Sequence, residues 1–196
     1  ASGEFPLGTV GAGTGALAAM QKGGLGSASV VLKNGYTVGA LVVANPMGSV
    51  TTASGKYFWA APFEVDGEFG GMGVDPEHAN FDGKQSLKEA AMMVFNAEMS
   101  NTTIAIVATD APLTKTQCHR LAVTAHDGMA RAIVPSHTPL DGDLIFGVST
   151  TNGAVDYNIF RDIGAAAAVC LSRAIARGIY EATSHADDIL PTYRSS

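Results

Sequence analysis

Thr102 follows Asn101 and heads the apolar run Thr103-Ile104-Ala105-Ile106-Val107. If the peptide bond before it were cut, its new α-amine, with a reference pKa of about 8, would lie within reach of its own hydroxyl and could take the hydroxyl proton. That is the arrangement of an N-terminal nucleophile. The plainer reading is that a β-branched residue simply opens a strand. Asp141-Gly142-Asp143 sets two carboxylates around a glycine. One could orient a nucleophile while the other holds the first in place, their repulsion shifting both proton affinities. Asp and Gly equally make solvated turns, and Ca²⁺ would need further ligands along a loop that are lacking here. Lys22, before Gly23-Gly24, and Asn45, closing an apolar stretch, carry ammonium and carboxamide N–H groups, the donors that stabilise a developing oxyanion. Equally, Lys22 could reach solvent and Asn45 could begin a turn with Pro46.

Other patterns weigh against a bound group. Gly11 to Ala16 matches G-x-G-x-x-A, the dinucleotide fingerprint, which needs a hydrophobic strand before it and an acidic residue about 20 positions later. Pro6 interrupts the first, and residues 31–38 contain no Asp or Glu. His78, His119, His126, His137 and His185 show no HExxH-like spacing and read as surface or satisfied side chains. Cys118 and Cys170 fall in helical stretches without a CxxC spacing, so neither a disulfide framework nor a thiolate metal site is expected. No metal and no cofactor is expected.

The elements that must position these residues follow from pattern. SASVVLK (27–33) and TVGALVVAN (37–45) flank Asn34-Gly35, the dipeptide that best supplies the positive φ angles of a tight hairpin. Asn45 therefore ends a strand. Residues 46–83 hold several aromatics with Pro46, Pro62 and Pro76, show no sustained period, and read as a long surface excursion. Leu87, Ala90, Ala91, Val94 and Phe95 recur at helical spacing after a Ser86/Glu89 capping box, which predicts a helix over 85–99 leading up to Asn101. The run 102–112 predicts a strand buried on both faces. Cys118, Leu121, Ala122, Ala125 and Met129 trace one face of a helix over 114–130, followed by a short strand at 131–134. PSHTPLDGD (135–143) is a turn-rich loop ending on the two aspartates; 144–149 is a strand, and 159–183 an alanine-rich, sandwiched helix. Strands alternating with helices predict a layered α/β protein, in a single domain over 1–196.

Composition limits the partners. The chain has 196 residues, 46% apolar and 15% charged, with 23 glycines, which describes a compact chain with a sizeable core rather than a disordered one. Against 18 Asp+Glu stand 12 Lys+Arg, and a formal charge of −6 leaves no electrostatic footprint for nucleic acid or an anionic membrane. The longest apolar run, Gly164 to Leu171, falls well short of the roughly 20 residues of a spanning helix. The opening Ala-Ser-Gly-Glu-Phe-Pro lacks the pattern of a secretory signal, so a cytoplasmic location is expected.

Five stretches in order, GTVGAGTGA, QKGGLGSAS, VGALVVAN, TTIAIVATDAPLT and LDGDLIFGVST, resemble the self-processing hydrolases grouped with L-aminopeptidase D-Ala-esterase/amidase. SNTTIAIVATDAPLTKTQCHRLA looks most like their 6-aminohexanoate-oligomer endohydrolase branch. The resemblance spans nearly the whole chain and is weakest at 46–97. It implies an αββα sandwich of N-terminal-nucleophile type that cuts itself once, between Asn101 and Thr102, into 1–101 and 102–196. By position it implies Thr102 as nucleophile, Asp141 and Asp143 as the network that activates it, Lys22 as the nearby ammonium and Asn45 as oxyanion donor. The implied substrates are 6-aminohexanoate (nylon-6) oligomers, with no cofactor, and the implied assembly is a homotetramer. Because precursors of this family carry a long stretch ahead of the glycine-rich motif, the resemblance also implies that the family's N-terminal portion is missing here. An aminopeptidase or amidase acting on short or β-amino peptides would share the fold. A nucleotide-binding or structural α/β module, in contrast, would keep Thr102 as a strand residue and would never be cut.

Overall fold

The computed structural model describes residues 3–77, 86–95 and 101–196. Strands β1 (Gly24–Val31) and β2 (Thr37–Ala44) form the expected antiparallel hairpin, with Val31 opposite Thr37. Its turn is wider than a two-residue reversal: Leu32 N–H donates to the Tyr36 carbonyl at 2.8 Å, and Gly35, not Asn34, takes a left-handed φ, of 90°. A type I′ turn needs positive φ at both residues. Asn34 instead accepts the Tyr36 N–H on its side-chain oxygen at 3.1 Å. Strand β3 (Ile104–Thr109) pairs antiparallel with β2, and β4 (Leu144–Ser149) pairs parallel with β3, so the sheet order is β1-β2-β3-β4.

A parallel pair requires a crossover, and the helix between β3 and β4 supplies it. The helices are α1 (Leu87–Phe95), α2 (Lys115–Ala132) and α3 (Tyr157–Tyr180). Each starts where a side chain satisfies the first free N–H groups. Ser86 and Glu89 exchange the two hydrogen bonds of a capping box, Thr114 and Gln117 do the same for α2, and Asp156 caps α3. Of the helix expected over 85–99, residues 85 and 96–99 lie outside the described residues. Because α2 runs on to Ala132, the strand expected at 131–134 shrinks to a single bridge between Val134 and Ser49. Gly11–Gly13 is a short 3-10 turn with no strand before it and no helix after it, so the dinucleotide pattern lacks its structural context.

Both long helices cover one face of the sheet: α3 lies on β1 and β2, α2 lies on β4, and the two helices pack together. Glycine makes this approach possible. A Cβ on Gly26 of β1 would collide with the Ala174 carbonyl of α3, and one on Gly147 of β4 with the Cys118 carbonyl of α2. Val38, Val42, Ala105 and Val107 from the sheet meet Leu121, Met129, Ile163 and Leu171 in the core. Residues 46–77 are not a surface excursion. They send Val50, Phe58 and Phe69 into the core, with the two rings 5.3 Å apart in an edge-on pair. These side chains enter singly from turns, which is why no period announces them.

The opposite face of the sheet is exposed. Leu41, Ile106 and Phe146 lie side by side across β2, β3 and β4, with Ile104, Leu144 and Val148 beside them, all outside the helical layer. Burial of β3 on both faces, expected from its sequence, therefore holds for one face, that of Ala105, Val107 and Thr109. No helix among the described residues is long and apolar enough to cross a membrane.

Candidate active site

The β3–β4 register carries the site. It continues past the start of both strands, with Leu144 N–H donating to the Thr103 carbonyl at 3.0 Å and Gly142 N–H to the Asn101 carbonyl at 2.8 Å. Thr102 thus lies beside Gly142, so close that a Cβ on the glycine would sit 2.7 Å from Thr102 Oγ1. Asp143 Oδ1 accepts the Thr103 N–H at 2.9 Å. Asp141 faces the end of β2 instead: its Oδ1 accepts the Met47 N–H at 3.0 Å, while Oδ2 accepts the Thr138 N–H at 2.9 Å and the Thr138 hydroxyl at 2.6 Å. The two aspartates therefore join the loop before β4 to the segment around Thr102 and to the turn after β2.

Asn45 begins that turn. Its Oδ1 accepts from Leu17 N–H at 3.0 Å and from Lys88 Nζ at 3.2 Å. Two donors on one end of a carboxamide identify that end as the oxygen and direct the NH₂ group away from them. Lys88, on the first turn of α1, is fully buried, and its ammonium also donates to the carbonyls of Leu17 at 2.8 Å, Pro46 at 3.1 Å and Asn45 at 3.2 Å. Burial pushes its pKa down to about 8, against the opposing pull of the Asp141 charge. Nothing in the sequence marks this lysine, because Leu87-Lys88-Glu89 reads as an ordinary solvated turn of helix.

Lys22 is engaged elsewhere. Its buried ammonium pairs with Asp188 Oδ1 at 2.5 Å, and its backbone N–H donates to the Pro191 carbonyl at 2.8 Å. The hydrogen bond from Lys22 holds the Asp188 carboxyl below the usual carboxylate range. The structure thus links Thr102, Asn45, Asp141 and Asp143 through one turn and one loop, and places Lys88 rather than Lys22 against Asn45.

A histidine also enters. His137 Nδ1 lies 2.9 Å from Asp143 Oδ2, and its Nε2 lies 3.4 Å from His126 Nδ1. Burial, and then the neighbouring His137, lower the His126 pKa. Spacing could not reveal the contact, because His137 and Asp143 meet within an irregular loop. The His137 ring is turned off the line to the carboxylate. Asp143 Oδ2 consequently joins Asn101 Oδ1 and Thr103 Oγ1 as buried oxygens with no aligned partner among the described residues. A buried polar atom left without a partner costs about 1–3 kcal/mol.

A cleft of about 730 Å³ opens beside this network. Met47 and Thr138, both bonded to Asp141, form part of its wall together with Met20, Trp59, Leu87 and Leu140. That volume lies within the range of small-molecule pockets. Among the described residues, no group of three or more His, Cys, Asp or Glu side chains could hold a metal ion.

Known proteins share this arrangement of chain. An uncharacterized aminopeptidase of Mycobacterium tuberculosis is 39% identical over 203 aligned positions, covering 97% of this chain and 57% of that protein. The 6-aminohexanoate-oligomer endohydrolase of Paenarthrobacter ureafaciens is 31% identical over 154 positions, covering 76% of this chain and 41% of that protein. Among solved structures, a Burkholderia sp. beta-aminopeptidase superposes with a TM-score of 0.61 at 25% identity, over 93% of this chain and 48% of that one. The L-aminopeptidase D-Ala-esterase/amidase from Ochrobactrum anthropi, described as a variant of the Ntn hydrolase fold, gives a TM-score of 0.65 at 24% identity, over 98% and 51%. The chain spans about half the length of these relatives, and its α/β fold is that of the N-terminal-nucleophile hydrolases. The sequence profile of peptidase family S58 matches residues 1–188, and the chain belongs to that family.

Proposed function

We propose that this chain carries the catalytic centre of a self-processing amide hydrolase with Thr102 as its nucleophile. One observation supports the reading above the rest: the Asn101 carbonyl accepts the Gly142 N–H at 2.8 Å while the Thr102 hydroxyl packs on the same glycine. In processing, Thr102 Oγ1 attacks the Asn101 carbonyl carbon, and the Gly142 N–H stabilises the charge that builds on its oxygen. The hydroxyl proton passes to the Thr102 nitrogen as the C–N bond breaks, leaving Asn101 as an ester on Oγ1 and a free amine on Thr102. Water hydrolyses the ester, which releases the Asn101 carboxylate and restores the hydroxyl. In turnover, the freed amine takes the hydroxyl proton as Oγ1 attacks a substrate amide, the amine product leaves with that proton, and water hydrolyses the acyl ester.

The supporting residues divide the remaining work. The Asn45 carboxamide supplies an N–H to the oxyanion of turnover. Asp143 holds the backbone of Thr103, next to the nucleophile, and Asp141 fixes the turn that carries Asn45. Lys22 anchors the glycine-rich segment on the C-terminal residues through Asp188 and Pro191. Methionine, leucine and tryptophan in the cleft suit an aliphatic chain between amides, which favours short oligoamides such as those of 6-aminohexanoate. Aminopeptidase action on short or β-amino peptides is the second reading, supported by the 39% identity to an uncharacterized aminopeptidase and the likeness to a beta-aminopeptidase.

The mass of the denatured protein tests the proposal. Two fragments, 1–101 and 102–196, are expected, and Thr102→Ala is expected to stay whole and to hydrolyse nothing. Normal hydrolysis by Thr102→Ala overturns the assignment. Side-by-side assays on 6-aminohexanoate oligomers and on β-amino peptides then decide between the two substrate readings.

A further inference from the structure

We propose that Lys88 is a positioning residue of this reaction, its buried ammonium locking the Asn45 carboxamide and the turn that follows into the orientation that an oxyanion requires. The inference rests on the Thr102 reading. Four oxygens converge on Nζ between 2.8 and 3.2 Å, and three of them, Asn45 O, Asn45 Oδ1 and Pro46 O, belong to one turn. An ammonium has three N–H donors, so at least one is shared, and Lys88 is shielded from solvent. Stripping a charge of water is costly unless the surroundings repay it. Asp141 supplies an opposite charge that offsets part of this cost, and its own oxygen holds the Met47 N–H of the same turn at 3.0 Å. The turn is therefore gripped at Asn45 by a cation and at Met47 by an anion.

The consequence falls on the carboxamide. With Oδ1 occupied by Lys88 and by the Leu17 N–H, the NH₂ end is the one directed away from both donors, as a donor to an oxyanion must be. Without Lys88 the group is able to turn over and present its oxygen to the developing charge. Such a defect acts in the transition state, and so in kcat more than in KM.

The test compares Lys88→Met, Lys88→Arg, Asn45→Ala and the Lys88→Met/Asn45→Ala double variant in the full chain, with thermal melts to establish folding. Lys88→Met is expected to lower kcat about 100-fold, the scale of one lost oxyanion donor, with KM changed less than about twofold. In the Asn45→Ala background the same substitution is expected to cost less than about twofold, because the group it positions is already gone. Lys88→Arg keeps the charge but not the compact three-donor geometry, and is expected to recover part of the rate. It also carries the comparison if Lys88→Met unfolds. The Asn45 side-chain N–H resonances are expected to move in Lys88→Met. Equal losses in both backgrounds, or unmoved Asn45 resonances in a folded Lys88 variant, overturn the proposal. A wild-type chain that is neither cut nor active would refute the Thr102 reading instead, and the Asn45 resonances would still decide whether Lys88 holds the carboxamide.

Discussion

Gly142 donates its N–H to the Asn101 carbonyl at 2.8 Å, and the same glycine touches the Thr102 hydroxyl. A single residue thus meets both the carbonyl to be attacked and the oxygen that attacks it. Gly142→Ala tests the second contact without straining the chain, since the Gly142 φ lies outside the left-handed region. The new Cβ would sit 2.7 Å from Oγ1, so the hydroxyl must rotate away. Self-cleavage is expected to slow by at least about tenfold with little change in Tm, which a time course of cut and uncut chain on a denaturing gel will read. An unchanged rate would mean that the hydroxyl attacks from another rotamer.

Asp141→Ala removes the acceptor of the Met47 N–H and of both Thr138 donors. A buried N–H left without a partner costs about 1–3 kcal/mol. Stability in urea is expected to fall by that amount, and turnover by a factor of about 100 or more as the Asn45 turn loses its anchor. Full activity in the variant would return Asp141 to the status of an ordinary turn residue.

The buried lysine gives a stability signature with a definite sign. Its folded pKa of about 8 lies below the 10.5 of a free lysine. Between those values the unfolded chain binds more protons than the folded one, so the penalty for burying Lys88 is full below pH 8 and fades as pH rises toward 10.5. A shift of this size corresponds to about 3 kcal/mol. Wild type is therefore expected to gain stability relative to Lys88→Met as pH is raised over that interval. Urea melts of the pair at several pH values will show it, and a difference that does not vary with pH would place an ordinary ammonium at this position.

His137 Nδ1 lies 2.9 Å from Asp143 Oδ2, close enough to become its donor with a small turn of the ring. Replacing it with leucine is expected to slow both processing and turnover about tenfold. Asparagine, whose Nδ2 can stand where the ring Nδ1 stands, is expected to keep most of the rate. If leucine and asparagine behave alike, the histidine fills space and no more.

What the sequence displays is what depends on near neighbours. Asn34-Gly35, the Ser86/Glu89 box and the β-branched run after Asn101 each declare an element through residues a few positions apart, and the structure places a turn, a helix start and a strand there. Thr102, Asp141 and Asp143 stand out as chemistry set at the ends of elements, and the β3–β4 register brings them together. Lys88 and His137 gain their importance from contacts with Asn45 and Asp143 that no period connects to them. Phe58 and Phe69 reach the core from irregular chain for the same reason. The sequence also leads one to expect Ile104 and Ile106 buried, because an apolar β-branched run looks alike whether one or both of its faces are covered.

Those two isoleucines give β3 a mechanical meaning. The strand is welded to the helices along Ala105 and Val107 and bare along Ile104 and Ile106, while the hydroxyl and the bond before it sit at its leading end. One side of the strand is thus fixed by packing, and the other is left to whatever surface meets it, within two residues of the bond before Thr102.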